Sequence, residues 1–77
     1  MMGDLKTLRT MAGLTQYELS RASVVPRWKI SLIEADQLAA SPTEESALRR
    51  ALGESLQALA TKAAEVGHRL SQEAIAV

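Results

Sequence analysis

Few side chains in this sequence are of a type that supports covalent or metal chemistry. The chain of 77 residues has one histidine, His68, and no cysteine, which argues against a catalytic thiol or a zinc site. The paired carboxylates Glu44 and Glu45 follow Ser41-Pro42, where helix capping and the helix dipole explain acidic residues. The sequence therefore predicts no enzyme, no metal site and no cofactor.

A group of basic and apolar side chains is instead typical of non-covalent recognition. Arg27, Trp28 and Lys29 are consecutive, and Leu32 follows one helical turn later. On one helix face they would present positive charge and an aromatic ring to a partner. Two other interpretations remain open at this point. Arg27 and Lys29 can form a solvated helix face, and Trp28 can pack on a partner protein.

Short helices with clear start and stop signals position this group. Asp4 is a plausible N-cap for a first helix, in which Leu5, Leu8 and Met11 share one face, and Gly13 ends it. The spacing of Thr15 and Glu18 predicts a capping box for a second helix, whose buried side carries Leu19 and Ala22. After a break at residues 23–25, Pro26 suits the first turn of a third helix with an apolar stripe of Ile30 and Ile33. We assign four of these apolar residues to the core: Leu19, Val25, Ile30 and Ile33.

The second half of the chain predicts two further helices. Ser41-Pro42-Thr43-Glu44 has the spacing of a helix start, and the following helix carries Ala47, Leu48, Ala51 and Leu52. Gly53 either ends this helix or lies inside a longer one at a cost of about 1 kcal/mol. Residues 54–77 are rich in good helix formers, and Gly67 is a candidate end of the ordered part. We therefore expect an all-α fold of five helices.

Composition and charge describe one small domain with an aliphatic core. The chain is 47% hydrophobic, has two aromatic residues, and carries a formal net charge of zero. Zero net charge argues mildly against nucleic acid, but residues 1–35 carry five cations against three anions, and residues 36–77 carry four against six. No apolar run is long enough to span a bilayer and no basic-then-apolar leader is evident, so we predict a cytoplasmic protein.

Residues 4–56 resemble the helix-turn-helix transcription regulators of the phage-repressor and Xre-like type. The matching segments are Leu14-Thr15-Gln16-Tyr17-Glu18-Leu19-Ser20 and Val25-Pro26-Arg27-Trp28-Lys29-Ile30-Ser31-Leu32-Ile33-Glu34, with flanking helices at Leu5 to Arg9 and Leu48 to Gly53. The family usually has glycine where this chain has Val24, and alanine where it has Ser20. A valine in a left-handed turn predicts a cost of about 1–2 kcal/mol or a different turn geometry.

The resemblance implies a DNA-binding domain at residues 1–56 and a role for individual residues. In the family the helix after the turn enters the major groove and reads base edges. By position, this implies that Arg27, Trp28 and Leu32 face the bases of double-stranded DNA, with Lys29 beside them. Contacts with the phosphates are implied for three further side chains, Arg9, Gln16 and Tyr17. Glu34 is expected to pair with a nearby cation, for which Arg9 is the candidate.

A heptad seam continues beyond the region of resemblance, in the segment 57–77. Its positions are Leu52, Leu56, Leu59, Ala63, Val66 and Leu70. Leu59, Ala63, Val66 and Leu70 predict a dimerisation element, and a homodimer would read a pseudo-palindromic operator as a transcriptional regulator, in our interpretation a repressor. The helix can instead fold back on its own domain or fray after Gly67. A further alternative is an antitoxin or other interaction module whose C-terminal helix binds a partner protein.

Overall fold

A computed structural model of the chain describes the backbone of residues 2–76 and the side chains of residues 2–70. This part contains four helices: α1 at Leu5–Met11, α2 at Gln16–Ser23, α3 at Arg27–Glu34 and α4 at Pro42–Ala76. The predicted all-α fold is confirmed. The predicted number of five helices is wrong, because the expected fourth and fifth helices form one helix of 35 residues.

Gly53 and Gly67 both lie inside α4 and end nothing. A glycine inside a helix costs about 1 kcal/mol relative to alanine. The alanine, leucine, glutamate and glutamine residues around each glycine offset that cost, and no proline follows either position to block the next helical turn. The helix therefore continues through both sites.

The core is formed by aliphatic side chains from all four helices and the segments between them. Leu5, Leu19, Ile30 and Leu48 are its largest fully buried side chains. The predicted core positions Leu19, Val25, Ile30 and Ile33 are all confirmed, and the other buried apolar residues are Met2, Leu5, Ala12, Leu48, Ala51 and Leu52.

Two predicted core positions are wrong, and both lie at the C-terminal end of a short helix. Met11 and Ala22 are exposed, whereas the next residues, Ala12 and Ser23, are buried. Ala12 lies seven residues after Leu5, and Ser23 lies four residues after Leu19, so the 3.6-residue period brings both residues close to the buried side, one position beyond the predicted ones. Ser23 tolerates burial because its hydroxyl donates a hydrogen bond of 2.7 Å to the Leu19 carbonyl oxygen.

Two predicted capping boxes begin α2 and α4. In α2, the Glu18 amide donates to Thr15 Oγ1 and the Thr15 amide donates to Glu18 Oε1, both at 3.0 Å. The hydrogen bond from the Thr15 backbone is the main cause of a lowered pKa at Glu18. The Ser41 and Glu44 pair makes the same reciprocal bonds at 3.1 and 3.0 Å. Asp4 is the N-cap of α1 by position, without a side-chain cap hydrogen bond.

The first part of α4 closes the core, and the remainder extends away from it. Ser55 Oγ donates to the Ala12 carbonyl oxygen at 3.0 Å. Gly13 has a φ of 72°, and Leu59 Cδ1 lies 3.6 Å from the place where a Cβ on Gly13 would stand. Residues 57–70 are exposed, and the molecule measures 55 × 19 × 19 Å. Within the described residues, no helix is long and apolar enough to cross a membrane.

Candidate nucleic-acid interface

The turn between α2 and α3 keeps a left-handed residue although that residue is valine. Val24 has φ 61° and ψ 18°, its side chain is 88% exposed, and its amide donates to the Ser20 carbonyl oxygen at 2.9 Å. Ser20 Oγ donates to the Val25 carbonyl oxygen at 2.7 Å, which ties the end of the turn to α2. The two substitutions relative to the family pattern therefore preserve the turn, at a strain cost of about 1–2 kcal/mol at Val24.

One face of α3 is anchored in the core and the opposite face meets solvent. Ile30 and Ile33 are buried, while Arg27 is exposed and Trp28 is 60% exposed. Lys29 and Leu32 lie at the edge of the exposed face. Arg27, Trp28, Lys29 and Leu32 are called the reading surface below. The three predicted base-facing residues and the adjacent Lys29 lie on one short helix, and the buried side of that helix fixes its orientation.

Lys29 is tied to the start of α4. Its Nζ lies 2.8 Å from Glu44 Oε2 and 5.6 Å from the centroid of the Trp28 ring. The hydrogen bond from Lys29, followed by the one from the Ser41 backbone, lowers the pKa of Glu44 to about 2. The positive charge of Lys29 is therefore offset by a carboxylate that stays ionised at neutral pH. The sequence pattern predicts only a role at the start of the helix for Glu44 and gives no sign of this second contact.

Arg9, Gln16 and Glu34 form a hydrogen-bonded network between α1, α2 and α3. Arg9 Nε donates to Glu34 Oε2 at 2.7 Å and Arg9 Nη2 donates to Glu34 Oε1 at 3.1 Å, while Gln16 Nε2 donates to Glu34 Oε1 at 3.1 Å. Arg9 Nη1 also donates to the Leu14 carbonyl oxygen at 2.9 Å. The side chains of Arg9 and Glu34 are only 14% and 6% exposed.

This network shifts the titration of both charged members. Burial pushes the pKa of Glu34 upward, but hydrogen bonds from Arg9 and Gln16, together with the charges of Arg9 and Lys6, outweigh it and leave the pKa lowered. The hydrogen bond to Glu34 raises the pKa of Arg9. The predicted pairing of Glu34 with Arg9 is confirmed. The phosphate contacts expected from Arg9 and Gln16 stay predictions, since both side chains are engaged within the protein.

A family model described as helix-turn-helix matches residues 5–59, which include all of α1, α2 and α3 and the part of α4 that closes the core. The chain belongs to the Xre and phage-repressor-like helix-turn-helix family. This family consists of DNA-binding regulators, so the exposed face of α3 is the candidate DNA-reading face. No curated protein and no solved structure matches the chain.

A second aromatic side chain of the helix-turn-helix domain lies on α2. Tyr17 is 59% exposed, and the guanidinium carbon of Arg21 lies 5.8 Å from the centroid of its ring. Tyr17 is a predicted phosphate contact, whereas Arg21 was not predicted to belong to the site. The i to i+4 spacing of the two residues on one helix was a signal for this pair.

The predicted dimerisation residues of this helix-turn-helix protein are exposed in the single chain. Leu59, Val66 and Leu70 are 42%, 50% and 60% exposed, and Ala63 is exposed as well. Leu59 also reaches Gly13, so it lies at the boundary between the domain and the extended part of α4. The side chains of residues 71–77, which end the predicted assembly segment, lie outside the described residues. In the part of the chain that is described, no three His, Cys, Asp or Glu residues are grouped to hold a metal ion.

Proposed function

We propose that the protein is a sequence-specific transcriptional repressor that binds a pseudo-palindromic operator as a homodimer. One observation carries the proposal. Ile30 and Ile33 fix α3 against the core while Arg27 and Trp28 on its other face stay exposed. A short, rigidly anchored helix with an exposed basic and aromatic face has the form that enters a major groove.

Three residues of the reading surface have roles that follow from their chemistry. The Arg27 guanidinium presents a fork of N–H donors that matches the O6 and N7 acceptors of guanine, worth about 1–3 kcal/mol of discrimination. Trp28 has one N–H donor and a broad apolar ring, and Leu32 is purely apolar. These two side chains suit contacts with thymine methyl groups and with the shape of the groove.

The start of α2 supports a phosphate contact beside the reading surface. The amide of Glu18 is satisfied by Thr15, but the amides of Gln16 and Tyr17 lie in the first helical turn, where they have no partner within the helix. Free amides at a helix N-terminus favour an anion. In this arrangement Glu34 holds the Gln16 side chain in place, and Tyr17 and Arg9 border the phosphate path.

The homodimer is proposed to form through α4, beyond the matched domain. Leu59, Ala63, Val66 and Leu70 repeat at heptad spacing and leave an apolar stripe without cover in the single chain. Pairing two stripes would hide this surface and place two copies of α3 on one DNA molecule. Because the net charge of one chain is zero, a single domain attracts DNA weakly, and affinity would depend on dimerisation.

Selection of bound sequences from random DNA, followed by titration at several salt concentrations, tests the proposal. We expect an inverted repeat with half-sites about 10 base pairs apart, one helical turn, and an affinity that falls as salt rises. The absence of DNA binding at low salt would refute the DNA-binding role. A single half-site bound by a monomer in sedimentation would refute the dimer. A promoter carrying the selected site should lose expression when the protein is present, and a gain would refute repression.

A further inference from the structure

One ion pair joins α3 to the first turn of α4, and the proposed function gives this ion pair no role. Lys29 Nζ and Glu44 Oε2 are 2.8 Å apart, and the two side chains are 33% and 21% exposed. The same carboxyl group caps α4 by accepting from the Ser41 amide at 3.0 Å through Oε1. Glu44 is therefore held from two sides, with one oxygen assigned to each partner.

From this geometry we infer that Glu44 determines DNA specificity, because it neutralises Lys29 within the reading surface. With Lys29 paired, Arg27 is the cation of the reading surface that remains available to the bases. Without the pairing, Lys29 would offer a second cation that attracts any phosphate and therefore any sequence. Glu44 acts through Lys29 and is a positioning residue, not a DNA contact. The inference rests on the proposed DNA-binding function.

A second contact, with the Trp28 ring, helps to fix the position of the Lys29 ammonium group. The ammonium lies 5.6 Å from the centroid of the Trp28 ring, at a distance where a cation and an aromatic ring attract each other. The carboxylate and the ring together hold the lysine stem beside the ring. A phosphate oxygen that approaches the Lys29 ammonium also approaches the Glu44 carboxylate, and the like charges of the phosphate and the carboxylate oppose that approach.

Glu44 stays ionised, and its ion pair with Lys29 therefore persists, over the pH range in which DNA binding is measured. The hydrogen bond from Lys29 and that from the Ser41 backbone lower its pKa to about 2. The carboxyl group thus stays charged at any pH from weakly acidic to alkaline. The effect on DNA binding is expected to be independent of pH near neutrality, and a substitution is needed to expose it.

Glu44→Gln and Glu45→Gln form a matched pair of variants. Each removes one negative charge, at neighbouring positions of α4, and so raises the net charge of the chain by one unit. The side-chain amide in Glu44→Gln retains an oxygen that can accept from the Ser41 amide, so the cap is conserved while the Lys29 ion pair is lost. Glu45 instead pairs with Arg49 within α4, where Arg49 Nη2 lies 2.9 Å from Glu45 Oε1. Comparing the two separates a local effect on Lys29 from a general effect of net charge.

The experiment measures binding of the wild-type chain and both variants to a random-sequence duplex and to the selected operator at several salt concentrations. One added phosphate contact steepens the salt dependence of log K by about 0.9 and tightens binding by about eightfold at 0.1 M salt. We expect this change for Glu44→Gln on the random duplex, a smaller gain on the operator, and hence a lower specificity ratio. Glu45→Gln should shift both affinities less. Lys29→Gln added to Glu44→Gln should remove the gain.

Equal shifts for Glu44→Gln and Glu45→Gln would overturn the inference, because net charge alone would then explain them. An unchanged salt slope in Glu44→Gln would also overturn it, since Lys29 would already contact a phosphate in the wild-type complex. Circular dichroism of each variant confirms that the binding temperature lies below its unfolding transition. If the wild-type chain binds neither duplex at low salt, the proposed function itself is refuted. The two failures are therefore distinguishable.

Discussion

The network of Arg9, Gln16 and Glu34 should carry a large share of the stability of this small domain. Arg9→Met keeps the aliphatic stem and removes both hydrogen bonds to Glu34, at 2.7 and 3.1 Å, and the bond to the Leu14 carbonyl oxygen. The Glu34 carboxylate, whose side chain is 6% exposed, then retains Gln16 as its hydrogen-bond donor. A buried charge that loses its partner is strongly destabilising.

The expected loss is about 3 kcal/mol. Breaking a buried ion pair costs about 3–5 kcal/mol, and the lower end applies because water reaches Arg9 and Gln16 still donates. Small domains have free energies of unfolding near the lower end of about 5–15 kcal/mol, so this is a large fraction. The assay is urea unfolding at pH 7, measured by the circular dichroism of the helices. The free energy of unfolding should fall with urea concentration at the same slope in both chains, which makes the two values comparable.

An exposed ion pair of the same chain gives the control. Arg49→Met removes the i to i+4 pair with Glu45 on the surface of α4 and should cost less than about 0.5 kcal/mol. Adding Glu34→Gln to Arg9→Met should recover stability, because it removes the unpaired charge. A loss below about 1 kcal/mol for Arg9→Met, or one no larger than for Arg49→Met, would refute the reasoning.

Acid should reproduce part of the same loss. The folded pKa of Glu34 lies below its ordinary value of 4.5. The stabilisation it contributes is therefore fully present above pH 4.5, and it is lost as the pH falls below that value through the folded pKa. The difference in free energy of unfolding between the wild-type chain and Arg9→Met should therefore become smaller as the pH falls below 4.5. A difference that stays constant from about pH 7 to about pH 3 would contradict this assignment.

Three further sets of substitutions test the turn, the assembly, and the contacts with bases and phosphates. Val24→Gly should raise the free energy of unfolding in urea by about 0.5–1 kcal/mol, because relief of left-handed strain exceeds the added freedom of the unfolded chain, and a loss would contradict the strain. Leu70→Glu should convert dimer to monomer in sedimentation, whereas Ala64→Glu, off the seam, should not; equal effects would argue against the seam. Arg27→Ala should relax the base preference in selected sequences, whereas Gln16→Ala should weaken binding to all sequences alike. The opposite result would exchange the roles proposed for the two residues.

Local sequence signals predicted much of the fold. The capping boxes at Thr15 and Ser41 depend on residues three positions apart, so the chain specifies them before any tertiary contact forms. The apolar period of α3 placed Ile30 and Ile33 in the core for the same reason. The pairing of Glu34 with Arg9 was also predicted, although the two residues are 25 positions apart.

Features that depend on tertiary packing were predicted less well. The predicted number of helices was wrong because Gly53 carries a stop signal whose small cost is outweighed by its neighbours. The contact between Lys29 and Glu44 joins residues 15 positions apart, and it exists because the fold brings the first turn of α4 within side-chain reach of α3. No local pattern in the sequence indicates that proximity. The acidic residue that pairs with a basic residue of the reading surface can therefore be identified only in the folded chain.

The position of the two aromatic residues has a spectroscopic consequence. Tyr17 and Trp28 are both more than half exposed, and the core of the described chain is aliphatic. Unfolding therefore moves the indole from one aqueous environment to another, so tryptophan emission reports little of the folding transition. A ligand that covers α3 instead changes the surroundings of the indole directly. Far-ultraviolet dichroism thus follows folding, and tryptophan emission follows occupancy of the reading surface, with no added label for either.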